Sequence, residues 1–153
     1  MTLPEFLTED LIFLDLHPKD MPECLELMVQ EASARGRIPD PADALKRLLD
    51  RERTMSTGMG GGVAVPHAKS ASCKSMVVAM GRVPDGVDFR AIDGKPVYLV
   101  FMLLGPPDST RMHVDLLARI AYLVKNRTFL DTIQMAAEPK EVIEAIRSQP
   151  RRA

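Results

Sequence analysis

Ser56-Thr57-Gly58-Met59-Gly60-Gly61-Gly62-Val63-Ala64-Val65-Pro66-His67 sets a glycine-rich segment against a short apolar run and ends on a histidine. Four glycines in five positions leave the backbone too free for a regular element, so 56–62 reads as a loop or tight turn. Val63, Ala64 and Val65 then read as a short strand that stops at Pro66 and places His67 at a strand edge. Two continuous apolar runs follow, at 75–83 and 97–104, of the kind buried on both faces of a sheet. Between them, Pro84-Asp85-Gly86 and Ala91-Ile92-Asp93-Gly94 read as turns, and Gly105-Pro106-Pro107 closes the last strand.

The flanking segments read as helices. Upstream, Leu25, Met28, Val29 and Ala32 recur at helical spacing between Pro22 and Arg35, with Gly36 as the stop. Asp40 caps a second helix from Pro41 that turns Ala44, Leu45, Leu48 and Leu49 inward and leaves the charged residues up to Arg53 in water. Downstream, a helix from Asp108 carries Val114, Leu117, Ile120, Ala121 and Val124 on one face, and two more fit 128–137 and 139–147. Strands covered by helices make an α/β fold with a central sheet. The 153 residues suit one domain, 1–153, with a frayed tail from about 149.

Composition narrows the function classes. With 46% hydrophobic and 27% charged residues the chain has the makings of a packed core rather than of a disordered segment. A net charge of -1 with dispersed basic residues gives no footprint for nucleic acid or anionic lipid. No apolar run approaches the roughly 20 residues that span a bilayer, and the acidic start MTLPEFLTEDLIFLDL lacks a secretory pattern, so a cytoplasmic protein without membrane insertion is expected. Cys24 and Cys73 stand apart with no metal-binding spacing, as free thiols would.

Three histidines remain as candidates for chemistry. His17 sits before Pro18 in a connection and His113 in the first turns of a helix, both ordinary structural settings. His67, after a glycine-rich loop and a buried strand, is in a setting that fixes a side chain and brings N–H groups close. A neutral imidazole is a competent nucleophile near neutral pH, and a phosphoryl group on it needs positioned donors and cations. Arg51 and Arg53 precede the glycines, Ser56 and Thr57 bring hydroxyls, and the loop brings N–H groups, Gly58 and Gly60 among them. A nucleotide P-loop is excluded, because Lys69-Ser70 supplies its last pair but its glycine positions hold Val63 and Ala68. A metal centre lacks a third ligand beside His67 and His113, and no cofactor is expected. Met55 and Met59, in or beside the loop, are the methionines suited to partner contact.

Arg51-Glu52, the Ser56–Gly60 run, Gly62–His67, Val87-Asp88-Phe89, the Ala91–Val97 run and the helix bearing His113 together resemble the enzyme IIA domain of the bacterial phosphotransferase system. The resemblance is to the mannitol/fructose class, including its nitrogen-regulatory branch, and covers nearly the whole chain. It implies an α/β sandwich, a mixed central sheet with helices on both faces. It also implies that His67 takes phosphate on Nε2 from the carrier HPr, with Arg51 and His113 holding the phosphoryl group. Ala68 stands where glycine is usual, and Gly61 where asparagine is common. With no IIB, IIC or HPr segment in the chain, a regulator acting on a partner protein is expected ahead of a relay to a IIB in fructose- or mannitol-type uptake. A hydrogen bond from Nδ1–H of His67 to a carbonyl of the glycine-rich loop is expected to leave Nε2 free to react.

Overall fold

The two long apolar runs form the centre of a six-stranded mixed sheet in a computed structural model that describes residues 3–150. Helix α1 (Leu3–Phe6) and strand β1 (Ile12–Phe13) lead to helices α2 (Met21–Ala34) and α3 (Pro41–Thr54), then five successive strands, β2 (Gly58–Gly60), β3 (Val63–Ala64), β4 (His67–Lys69), β5 (Val77–Val87) and β6 (Val97–Gly105), and finally helices α4 (Thr110–Val124), α5 (Arg127–Met135) and α6 (Pro139–Arg147). The sheet order is β1-β5-β6-β3-β2, and β4 also pairs with β6. β5 and β6 are antiparallel, with Met80 opposite Phe101. β1 lies parallel to β5, and both β3 and β4 lie parallel to β6. Residues 77–81 and 99–105 are buried without alternation. Neighbours on a strand point to opposite faces, so both faces of the sheet are covered and the α/β sandwich is as expected.

Asp40 caps α3 as expected, and Asp20, not singled out in the sequence, caps α2 in the same way. The Asp20 carboxylate accepts from the Glu23 N–H at 2.9 Å, and Asp40 from the Asp43 N–H at 3.1 Å. α2 buries Cys24, Leu25, Met28, Val29 and Ala32, the expected stripe.

Five local expectations are corrected. The glycine-rich segment contains a regular element: β2 pairs antiparallel with β3. The link between them is the two-residue turn Gly61-Gly62, with φ of 67° and 83°. Positive φ at both positions is what a tight primed hairpin turn demands, so the glycines build the hairpin instead of preventing it. Pro84-Asp85-Gly86 does not reverse the chain. β5 runs on to Val87 with a bulge, its register shifting between Arg82 and Val87. α4 is rotated from its expected face: Val114 is exposed, whereas His113, Leu116, Ile120 and Leu123 point inward. On α3, Glu52 does not face water and is only 6% exposed. Of the tail, Gln149 and Pro150 are held, their carbonyls accepting from Arg119 and the Gln149 amide oxygen from Asn126, while 151–153 lie outside the described residues.

Arg82 ties the layers together. Its Nε donates to the Leu14 carbonyl at 3.0 Å, and Nη1 reaches the carbonyls of Ile133, Gln134 and Ala136 at 2.9, 3.1 and 2.8 Å. These carbonyls lie at and just past the C-terminal end of α5, where among the described residues only Ile133 has a backbone donor, the Ala136 N–H at a long 3.4 Å, and a cation there also meets the negative end of the helix dipole. Arg82→Met keeps the stem but strands those acceptors, and is expected to lower unfolding stability by about 2 kcal/mol. Lys cannot serve both directions with its single nitrogen, so Arg82→Lys should recover less than half of that. Urea midpoints at unchanged slope measure both effects, and an Arg82→Met midpoint equal to wild type would show the clamp to be idle.

Candidate functional site

β4 begins with His67, which lies opposite Leu103 of β6 and is half-buried. The Leu103 N–H donates to the Pro66 carbonyl at 2.9 Å, fixing the backbone immediately before the ring. Nδ1 of His67 lies 2.9 Å from the carbonyl oxygen of Val65. A carbonyl only accepts, so Nδ1 carries the hydrogen and Nε2 holds the lone pair. The tautomer is the expected one. The partner is corrected: it is Val65, past the glycine-rich loop on the strand side of the hairpin.

The hairpin is held from beneath by Glu52. Its carboxylate accepts from the Thr57 N–H at 3.1 Å and from the Thr57 hydroxyl. The Thr57 carbonyl accepts in turn from the Val65 N–H at 3.1 Å. Ser56 Oγ donates to the Phe89 carbonyl at 2.5 Å and accepts from the Gly58 N–H at 3.0 Å. Gly58 is tightly packed, since a Cβ there would lie 2.8 Å from that of Ala91. The Gly61 N–H is taken by Asp93 at 3.1 Å, and Gly60 adopts a φ of 87° beside it. The hydroxyls of Ser56 and Thr57 and the N–H groups of residues 57, 58 and 61 are therefore spent on the frame. Arg51, in the last turn of α3, donates from Nη1 to the Met55 carbonyl at 2.8 Å, at the entrance to the hairpin. Met55, Met59 and Ile92 are exposed around the same hairpin.

His113 reaches the site from α4. Its ring centroid is 6.3 Å from that of His67, with the planes at 57°. The side chain is 5% exposed, and its buried Nε2 has no hydrogen-bond partner. Burial, followed by the neighbouring His67 and Lys69, pushes its pKa down to about 4, so the ring is neutral. This close placement requires Gly105. A Cβ at that position would lie 2.9 Å from His113 Nε2 and 2.6 Å from Ser109 Oγ, and would also strike the Met76 sulfur. His17 is elsewhere, bridging Asp15 and Asp85 at 2.8 and 3.1 Å.

Two site neighbours have no role in the sequence reading. Glu52 read as one more charged position near the end of a helix, although Ala44, Leu48 and Glu52 recur every four residues along the buried side of α3. Lys69, the third residue of β4, donates from Nζ to the Thr110 hydroxyl at the start of α4. The sequence marked it only as part of a failed nucleotide motif. No three His, Cys, Asp or Glu side chains converge as a metal site among the described residues. What the arrangement supplies is a nucleophilic nitrogen with a second, unpartnered imidazole beside it and an ammonium close by.

Residues 5–149 match the family model described as phosphoenolpyruvate-dependent sugar phosphotransferase system, EIIA 2. The chain is 32% identical over 146 residues to the fructose-specific EIIABC component of Bacillus subtilis, covering 95% of this chain but 23% of that protein's length. It is 34% identical over 107 residues to the nitrogen regulatory protein of Pseudomonas aeruginosa, covering 70% of each. Among solved structures, the nitrogen regulatory protein IIA-Ntr of Neisseria meningitidis superposes with a TM-score of 0.88 at 30% identity, over 94% of this chain and 98% of that one.

The buried neutral His113 makes stability depend on acidity. Its folded pKa lies below the unfolded value near 6.5, so below that pH the unfolded chain binds more protons and stability is lost as pH falls. Roughly 3 kcal/mol is at stake by pH 4, about 2 kcal/mol of it by pH 5. His17 shifts the opposite way, raised by Asp85 and Asp15, but it is common to wild type and His113→Gln and cancels between them. Denaturation at pH 7.5 and pH 5 should show wild type losing about 2 kcal/mol more than His113→Gln, and equal losses would refute a neutral buried ring.

Proposed function

The chain belongs to the EIIA 2 family of the phosphoenolpyruvate-dependent sugar phosphotransferase system, and from that membership we propose that it is a phosphoryl carrier whose acceptor atom is Nε2 of His67. The observation that carries the reading is the hydrogen bond that commits Nδ1 to the Val65 carbonyl and leaves the Nε2 lone pair available. That lone pair forms a bond to phosphorus as the N–P bond of a phosphorylated HPr-type carrier breaks, and the bonding electrons return to the carrier's nitrogen. No proton leaves His67 in the step. Its Nδ1–H stays on Val65, whose carbonyl dipole offsets the charge that develops on the ring as Nε2 attacks.

His113 and Arg51 hold the phosphoryl oxygens in this reading. The buried Nε2 of His113 gains the partner it otherwise lacks, and Arg51 needs only to exchange the Met55 carbonyl for phosphate. Ser56, Thr57, Gly58 and Gly60 act through shape, keeping the hairpin and Val65 in place, because their hydroxyls and most N–H groups are already engaged. Met55, Met59 and Ile92 offer an adaptable apolar contact for the carrier, in the cytoplasm.

The downstream partner divides the family. Likeness to IIA-Ntr of Neisseria meningitidis over nearly the whole of both chains supports a nitrogen-type regulator, whose phosphorylation state selects a protein partner. The match to one part of the Bacillus subtilis fructose-specific component supports the second reading, a relay handing phosphate to a IIB.

Labelled phospho-HPr is expected to transfer its label to the wild-type chain and not to His67→Ala. His113→Gln should accept it on the order of a hundredfold more slowly. Equal labelling of His67→Ala would sink the acceptor assignment. Discharge of the label by a fructose- or mannitol-type IIB would favour the relay, whereas retention of the label in its presence favours the regulator.

A further inference from the structure

β4 is three residues long, so its pleat sets His67 and Lys69 on one face, with Cα atoms about 7 Å apart, and Ala68 on the other. The Lys69 ammonium crosses to α4 and donates to the hydroxyl of Thr110. Thr110 stands three residues before His113 and therefore on the same side of the helix. The charge of Lys69 is felt at His113, where it opposes protonation together with His67. One ammonium thus lies within electrostatic reach of the second imidazole and shares a strand face with the first. Among the described residues it has no carboxylate partner, only a neutral hydroxyl, while Nε2 of the 95% buried His113 next to it is unpartnered. A cation without an anion beside a buried unpaired donor or acceptor describes a place prepared for an anion.

We propose that Lys69 is a further phosphoryl ligand: when His67 carries the group, the ammonium leaves Thr110 and bonds a phosphoryl oxygen. The inference rests on His67 being the acceptor, as argued above. In the transfer, the Nε2–P bond forms while the carrier's N–P bond breaks. Lys69 gives up no proton and exchanges one hydrogen bond for another, from a hydroxyl to a doubly negative oxygen set. The flexible four-carbon stem suits the movement, and the exposed position makes the residue dispensable for folding. Thr110 holds the ammonium on the site side while the site is empty, which lowers the entropy lost when phosphate arrives.

The discriminating quantity is the equilibrium distribution of phosphate between dilute HPr and this protein. It depends on the free and phosphorylated forms alone and is blind to how tightly the two proteins dock. Lys69→Gln is expected to move that distribution towards HPr by about tenfold, the value of one charge-assisted hydrogen bond, and Lys69→Arg to stay within about threefold of wild type. Phosphorylation should also shift the Nζ resonance of Lys69 in wild type. Calorimetry of unphosphorylated HPr with Lys69→Gln should match wild type, and melting by circular dichroism should be unchanged. A Lys69→Gln distribution equal to wild type overturns the proposal while leaving His67 as acceptor, and weakened HPr binding with an unchanged distribution assigns Lys69 to docking instead. Wild type that takes up no phosphate at all removes the acceptor reading itself, a failure separable from the others.

Discussion

One edge of β6 is shared by two short strands, and the chemistry depends on the break between them. β3 pairs with Leu99 and Val100 and β4 with Leu103 to Gly105 in one unchanged register, with Val65 and Pro66 between the two paired stretches. Proline has no N–H to offer there, and its carbonyl takes the Leu103 donor. Val65 itself faces away from β6, its N–H donating to the Thr57 carbonyl, and because the Thr57 N–H is taken by Glu52 the Val65 carbonyl is left to accept from Nδ1. Were that N–H to pair across to Val65 instead, it would compete with the imidazole for its orienting partner. The donor that Glu52 withdraws from the hairpin thus keeps the Val65 carbonyl for the ring.

Glu52 keeps the break in place. A buried carboxylate without donors costs several kcal/mol, and this one receives both the N–H and the hydroxyl of Thr57. Thr57 then fixes Val65 through a backbone bond, so the series Glu52, Thr57, Val65, His67 runs from the end of α3 to the reacting ring. The hairpin turns tightly because Gly61 and Gly62 accept positive φ, and it lies close to the 88–96 connection because Gly58 has no Cβ to meet Ala91. A rigid frame suits the proposed role of His67, a nucleophile that presents one lone pair to a protein partner.

The elements with strong periodicity or clear caps were legible in the chain. α2 is read from its apolar spacing and α3 from its Asp40 cap, and β5 and β6 are read from unbroken apolar runs, because burial on both faces removes any alternation. The differences share a cause. The conformational freedom of glycine argues against regular structure in 58–62, whereas a hairpin turn selects it for positive φ. α4 was oriented by its apolar residues, yet the buried position belongs to a histidine, and omitting His113 rotated the stripe until Val114 faced inward. The role of Glu52 is missed for a related reason. A charged side chain buried beneath the hairpin breaks the rule that charges face water, and such breaks mark places where function overrides local preference. Lys69 does face water, and only its bond to Thr110 of a distant helix ties it to the site. His67 was legible because proline, glycine and a buried run surround it, while its orienting carbonyl is left free by contacts of Glu52 and Thr57 that no local pattern encodes.

The orphaned Nε2 of His113 is the counterpart of that frame. Leaving such a group buried without a partner costs about 1–3 kcal/mol, and a glycine at 105 is needed to admit the ring at all. In the proposed phosphorylated state the same atom meets an oxygen, so the cost is relieved only when the group is present. On that reading, a penalty carried by the free protein and absent from the phosphorylated one would raise the affinity of His67 for phosphate without adding a contact elsewhere. The proposed site would then set its place in a transfer chain partly by being less stable before phosphorylation, and satisfying His113 within the free protein would stabilise the fold while weakening its hold on the phosphoryl group.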